Sequence, residues 1–171
     1  MHRQRHIDAR SLREEESMSM EGALKIRKVD HSNVEDFVGL IVELAKFERL
    51  PPPGEEEKRR LSEHALSRPP LFEAFIAQMG GKAVGYITYY FTYSTFLAKP
   101  TLFLEDIFIL EEHRRAGIGE RLFDHCLLVS REKGCGRLEW SVLNWNVNAI
   151  SFYGKRGGRP LSEWTMYRLD L

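Results

Sequence analysis

A run rich in β-branched and aromatic residues, Thr101 to Leu110, passes into a loop carrying Arg114, Arg115, Gly117 and Gly119. An amphipathic stretch follows, with Leu122, Cys126 and Val129 on one side and Phe123 and Leu127 beside them. The pattern reads as strand, glycine loop, helix. A loop of this kind turns backbone N–H groups toward an anion at the positive end of the helix dipole. Gly117 and Gly119 let the main chain approach a phosphate without a side chain between them, and the two arginines bring charge to the same place. Other phosphate motifs fit less well. A P-loop needs Lys then Ser or Thr after its last glycine, where this chain has Glu120 and Arg121. A dinucleotide fingerprint needs a third glycine where Leu122 stands.

The remaining elements fall around this unit. Leu24 to Val29 alternates as a strand. Ser32-Asn33-Val34-Glu35 has the spacing of a capping box, and Val34, Phe37, Val38, Ile41 and Ala45 carry a helix to about Phe47. Pro51-Pro52-Pro53-Gly54 interrupts it, and a more polar helix is expected from Glu55 to Leu66. Two strands, Phe72 to Met79 and Lys82 to Phe91, flank Gly80-Gly81, a two-residue hairpin signal. After the central unit come a strand from Arg137 to Leu143, a helix from Asn146 to Arg156 closed by Gly157-Gly158, and a last strand from Trp164 to Leu171. The expected fold is α/β, a mixed central sheet flanked by helices in the order β-α-α-β-β-β-α-β-α-β. The sheet is antiparallel first and parallel later.

Length and charge bound the function. A chain of 171 residues suits one domain. The 25 basic and 25 acidic side chains balance, so the basic surplus of a nucleic-acid binder is missing. No apolar run is long enough for a membrane helix, and the polar first residues have no signal-peptide core. Cytoplasm is therefore the expected location, with no membrane partner. Cys126 and Cys135 read as free thiols, and no metal-ligand spacing surrounds them. Residues 1–22 are expected to be a disordered leader before a domain spanning 23–171.

Arg114-x-x-Gly117-x-Gly119 resembles the acetyl-CoA signature of the GNAT superfamily of N-acetyltransferases. Asn146-Val147-Asn148-Ala149-Ile150-Ser151-Phe152-Tyr153-Gly154-Lys155-Arg156-Gly157 resembles a second family signature in the expected order. Glu43 to Glu48, Tyr89 to Tyr93, Leu104-Glu105-Asp106 and Val142 to Asn146 are similar to the diamine branch, which includes spermidine/spermine and thialysine acetyltransferases. The resemblance implies acetyl-CoA as cosubstrate, no metal, a small primary amine as acceptor and a homodimer. It implies that Ile107, Phe108 and Ile109 offer backbone groups to the pantetheine arm. Arg114, Arg115, Ala116, Gly117, Ile118, Gly119 and Glu120 would hold the pyrophosphate, with Asn146 as a further coenzyme contact that also suits a helix cap. Tyr153 matches the general-acid tyrosine and also lies beside the coenzyme. Phe47, Glu48, Glu105, Glu139, Trp140 and Ser141 match substrate-lining positions, Glu48 being placed to meet a second ammonium.

The chemistry itself singles out Glu105. An aliphatic amine is mostly protonated at neutral pH, so a base must take its proton. Glu105 stands in an otherwise apolar strand, where a charge is costly without a task or partner. Asp106 points to the opposite face of a regular strand, and only a bulge would bring it round. One departure bears on the acceptor. After Tyr93 the chain reads Ser94-Thr95-Phe96, where the polyamine enzymes tend to carry an acidic residue and a Trp. Small amino acids with a side-chain amine, or short diamines, suit it better than a long polycation. The alternatives are acetylation of a protein amine and a non-catalytic acyl-CoA-binding regulator.

Overall fold

The computed structural model describes residues 24–170. The leader expected over 1–22 lies outside them. Five strands form one mixed sheet in the order β1-β2-β3-β4-β5. They are β1 (Lys25–Lys28), β2 (Glu73–Met79), β3 (Lys82–Ser94), β4 (Lys99–Ile109) and β5 (Arg137–Trp140). The helices are α1 (Val34–Glu48), α2 (Glu55–Leu66), α3 (Ile118–Glu132) and α4 (Val147–Lys155), with a short 3-10 turn at Glu111–His113. The chain divides into two compact units at Glu139 and Trp140.

β1 to β4 pair antiparallel in sequence order. Gly80 and Gly81 both take positive φ, 57° and 81°, the twist that a two-residue hairpin needs. Gly85 lies opposite Ile109, and a Cβ there would stand 2.6 Å from the carbonyl oxygen of Phe108. Glycine therefore lets the two strands close together.

α1 covers one face of this sheet. Phe37 is fully buried and meets Tyr86 edge-on with centroids 5.4 Å apart. Val34, Leu40, Ile76 and Phe108 belong to the same cluster. Burying each large side chain contributes roughly 1.5–3 kcal/mol. α3 presents a second apolar stripe, in which Ile118, Leu122, Phe123 and Cys126 are buried. The stripe at helical spacing is thus core, as its periodicity predicts.

Three local expectations are corrected. The capping box at Ser32 does not form, and Asn33 is the residue preceding α1, with no side-chain cap. Asp30 captures the Ser32 N–H and hydroxyl. The Asn33 amide bridges the Asp30 N–H and the Lys28 carbonyl. Local side chain–backbone bonds outcompete the cap. β5 ends at Trp140 and not at Leu143, because the Leu143 carbonyl accepts from the Asn146 N–H at 2.8 Å and turns the chain. Ser141 therefore lies beyond the strand it was expected to belong to. The sixth strand is missing: residues 164–170 carry no regular structure, and Trp164, Met166, Tyr167 and Leu169 are exposed. Apolar composition favours burial, but a strand also requires ladder partners, and this segment makes no ladder.

Candidate active site

The glycine loop has the backbone its sequence suggests. Arg115 and Gly117 both adopt left-handed conformations, with φ of 64° and 76°. Left-handed geometry in a residue other than glycine is costly and concentrates at functional sites. Gly117 precedes α3 and gives it no side-chain cap, so the first amides of the helix are left for another acceptor. A Cβ at Gly117 would meet nothing within 4 Å, so the space beside the loop is open. Arg115, Ala116, Gly117 and Glu120 are exposed, while Ile118 is buried and anchors the helix start. An exposed set of amides at a helix N-terminus suits a pyrophosphate.

Arg114 is placed differently from its neighbour. Its guanidinium lies 4.6 Å from the ring centroid of Phe47 and 5.7 Å from that of Phe108. Its Nε donates to the Ile109 carbonyl at 2.9 Å. The side chain joins the end of α1 to the end of β4. Phe47 and Phe108 are themselves 6.3 Å apart.

β4 is irregular at the residues that matter most. Its pairing with β3 jumps from Thr88↔Asp106 to Tyr89↔Leu104, leaving Glu105 as the extra residue of a β-bulge. In a flat strand Glu105 and Asp106 would face opposite sides; the bulge brings Asp106 round. Glu105 is exposed and Asp106 half-buried. The Thr88 hydroxyl donates to Asp106 Oδ2 at 3.2 Å and accepts from the Asp106 N–H at 3.2 Å. Burial, and then the charge of Glu105, push the Asp106 carboxyl up to about 6, and Glu48 adds in the same direction. Glu48, at the end of α1, is itself raised by burial. Burial, then its contact with Asp106 and the charges of Glu48 and Glu105, raise the Tyr86 hydroxyl well above its usual range. Burial and Glu105 likewise raise Tyr90.

The structure thus gathers Phe47, Glu48, Glu105 and Arg114 at one end of α1. It adds Tyr86, Thr88 and Asp106, which the sequence reading left out of the site. Ile107 and Ile109 are half-buried and Phe108 is buried in the core. All three pair with β3 on one edge. β5 begins beside the start of β4, where the Gly136 N–H reaches the Pro100 carbonyl and Arg137 Nε reaches Thr101. It is only four residues long. Glu139 is half-buried and pairs with Arg137 of its own strand at 3.0 Å.

The second unit holds the other expected residues. Asn146 caps α4, its side-chain oxygen accepting from the Ala149 N–H at 3.1 Å. Tyr153 is buried, 4.8 Å from the Trp140 ring and 5.3 Å from that of Phe152. Gly158 closes against this pair: a Cβ there would lie 2.7 Å from Trp140 Cζ2. Among the described residues no group of His, Cys, Asp and Glu is gathered to hold a metal, and no helix is long and apolar enough to cross a membrane.

A mixed sheet whose glycine loop opens onto a helix N-terminus, beside a cluster of carboxylates, defines an acyl-CoA-dependent transferase. Residues 39–158 match the acetyltransferase (GNAT) family, and the chain belongs to that family. It is 31% identical over 157 residues to thialysine N-epsilon-acetyltransferase of Mus musculus, an alignment spanning 85% of this chain and 92% of that one. It is 41% identical over 85 residues to the L-ornithine N5-acetyltransferase of Arabidopsis thaliana, covering 50% of this chain and 37% of that one. Among solved structures, an integron cassette protein from the mobile metagenome of V. cholerae superposes with a TM-score of 0.76 at 25% identity, covering 86% of this chain and 93% of that one. Members of the family take their acyl group from acetyl-CoA.

Proposed function

We propose that this protein moves the acetyl group of acetyl-CoA to a primary amine of a small molecule, a lysine- or thialysine-like amino acid or a short diamine. The observation that carries the reading is the β-bulge. It places Asp106 beside Glu105 and within reach of Glu48, next to the loop suited to a pyrophosphate. Three neighbouring carboxylates attract an alkylammonium ion and hold it at the site. The names of the thialysine and ornithine relatives support the same acceptor class.

Acetyl-CoA supplies the thioester carbonyl. The chain's task is to move protons and hold the reactants. Glu105 accepts the proton of the bound ammonium through a water, leaving a neutral amine competent to attack. The amides of residues 115–120 hold the pyrophosphate, and the backbone of Ile107, Phe108 and Ile109 lines the pantetheine arm. Tyr153 donates its phenolic proton to the departing thiolate sulfur. Phe47, Glu48, Glu139, Trp140 and Ser141 are assigned as acceptor contacts, Glu48 meeting a second ammonium. Asn146 adds a coenzyme contact from the start of α4. A homodimer is part of the same proposal, to be tested by sedimentation.

The test is a panel of thialysine, lysine, ornithine, putrescine and spermidine assayed for thiol release from acetyl-CoA. Turnover with one of these, slowed by Glu105→Gln most at low pH and by Tyr153→Phe without loss of coenzyme affinity, supports the reading. Coenzyme binding with no turnover on any amine would turn it into a non-catalytic binder.

A further inference from the structure

The bulge in β4 interrupts the ladder where the base is carried. Pairing passes from Thr88↔Asp106 directly to Tyr89↔Leu104, so Glu105 has no partner residue across the strand. A bulge left to itself is a soft place in a sheet, because the extra residue loses its ladder bonds. Here a side chain takes over. The Asp106 N–H donates to Thr88 Oγ1, and the Thr88 hydroxyl returns a bond to the Asp106 carboxylate, each at 3.2 Å. The two bonds close a reciprocal clasp across the strands directly beside Glu105.

We propose that Thr88 and Asp106 are positioning residues for acetyl transfer: their clasp locks the bulge that presents the Glu105 carboxylate. The inference rests on the reading of Glu105 as the base. A purely structural stitch at this position does not need a carboxylate, since an amide or a hydroxyl accepts the same bond from Thr88. Asp106 is instead a half-buried acid set among groups that oppose its charge. Glu48 approaches from α1 and Glu105 from the same strand, and of its β3 neighbours Thr88 and Tyr86 stabilise the ionised form. Burial outweighs these bonds, so the carboxyl changes charge near pH 6. A carboxylate retained where it is costly points to a task. The clasp therefore sets both where Glu105 points and the charge beside it.

The test uses the full chain and the best acceptor of the amine panel, with kcat and KM measured from pH 5 to 9. Thr88→Val keeps the volume and removes the hydroxyl; Thr88→Ser restores it. Thr88→Val is expected to lower kcat roughly 10- to 100-fold, with coenzyme A affinity by calorimetry unchanged within about twofold, and Thr88→Ser to recover most of the rate. Asp106→Asn is expected to remove the inflection of kcat near pH 6. Wild-type kcat in Thr88→Val, equal losses in Thr88→Val and Thr88→Ser, or a parallel loss of coenzyme affinity would each overturn the proposal. If Thr88→Val does not fold, the Asp106→Asn profile decides it, and an unchanged inflection overturns it. A slow Glu105→Gln beside a normal Thr88→Val removes the positioning role alone. An unimpaired Glu105→Gln removes the base assignment and the proposal with it.

Discussion

The guanidinium of Arg114 lies 4.6 Å from the centroid of the Phe47 ring while its Nε holds the Ile109 carbonyl. One side chain thus joins the end of α1, the end of β4 and the start of the glycine loop. In the proposed site this pin is common to the coenzyme side and the acceptor side. A lysine keeps the charge but loses the planar face and the Nε bond, and the stacking is worth about 0.5–1 kcal/mol. Arg114→Lys is expected to lower stability by about 1 kcal/mol in urea unfolding. It should also raise KM several-fold for acetyl-CoA and amine alike. An amine KM that stays at the wild-type value would separate Phe47 from the acceptor site.

Gly117 is the residue of the loop where the backbone and the proposed coenzyme contact make the same demand. Its φ is 76°, which costs a residue with a Cβ roughly 1–2 kcal/mol. No atom obstructs the added methyl, so the folded protein tolerates alanine at that cost alone. Gly117→Ala is therefore expected to fold, with a midpoint shifted by about 1 kcal/mol. It is expected to bind coenzyme A at least several-fold more weakly in calorimetry well below its melting temperature. Unaltered affinity in the folded variant would mean that this loop does not hold the pyrophosphate.

Much of the fold was legible because it is written in local patterns. Gly80-Gly81 fixes its hairpin by φ alone, and α2 begins and ends where its charge pattern and flanking prolines put it, Glu55–Leu66. The glycine loop was legible for the same reason. The bulge was not. No glycine or proline marks Glu105, and the event that makes it is a register jump against Tyr89, a residue of another strand. A period-two reading of β4 therefore turned Asp106 away from the site and missed Thr88 altogether. Arg114 was read by its charge, yet its position is set by Phe47 and Phe108, which only the packing of α1 on the sheet brings to it. Trp164, Met166, Tyr167 and Leu169 failed in the opposite direction: the composition asks for a strand, and no ladder answers it.

His125 makes a pH prediction on the opposite face of the sheet. Its ring packs 4.3 Å from Phe75 and 6.1 Å from Tyr89, and its Nε2 is buried without a hydrogen-bond partner. Burial lowers its pKa, against weaker opposition from Glu132 and Glu73. The unfolded chain then binds a proton that the folded chain resists, so stability rises with pH in this window. The contribution is complete above the unfolded value of about 6.5 and is lost as pH falls through it. Wild-type melting temperature is expected to drop between pH 7 and pH 5, and His125→Phe, which keeps an aromatic ring, to flatten that slope. Equal slopes for both proteins would show that His125 remains as easily protonated folded as unfolded.

Asp106 makes the converse prediction, and its sign is opposite. The carboxyl ordinarily titrates near 3.8, and the folded environment moves it to about 6. Between those values the folded state binds more protons than the unfolded one, so stability falls as pH rises. The penalty is absent below about pH 4 and complete above about pH 6. The shift corresponds to on the order of 2 kcal/mol after allowance for solvent at a half-buried site. Asp106→Asn keeps an oxygen for the Thr88 hydroxyl and removes the charge. The variant is therefore expected to be more stable than the wild type at pH 8 by about that amount, and equally stable at pH 4, in urea unfolding at both values. Greater stability with slower turnover would mark a carboxylate retained at a cost to the fold. A variant less stable at pH 8 would mean instead that the Thr88 and Tyr86 contacts favour the ionised form more than burial opposes it.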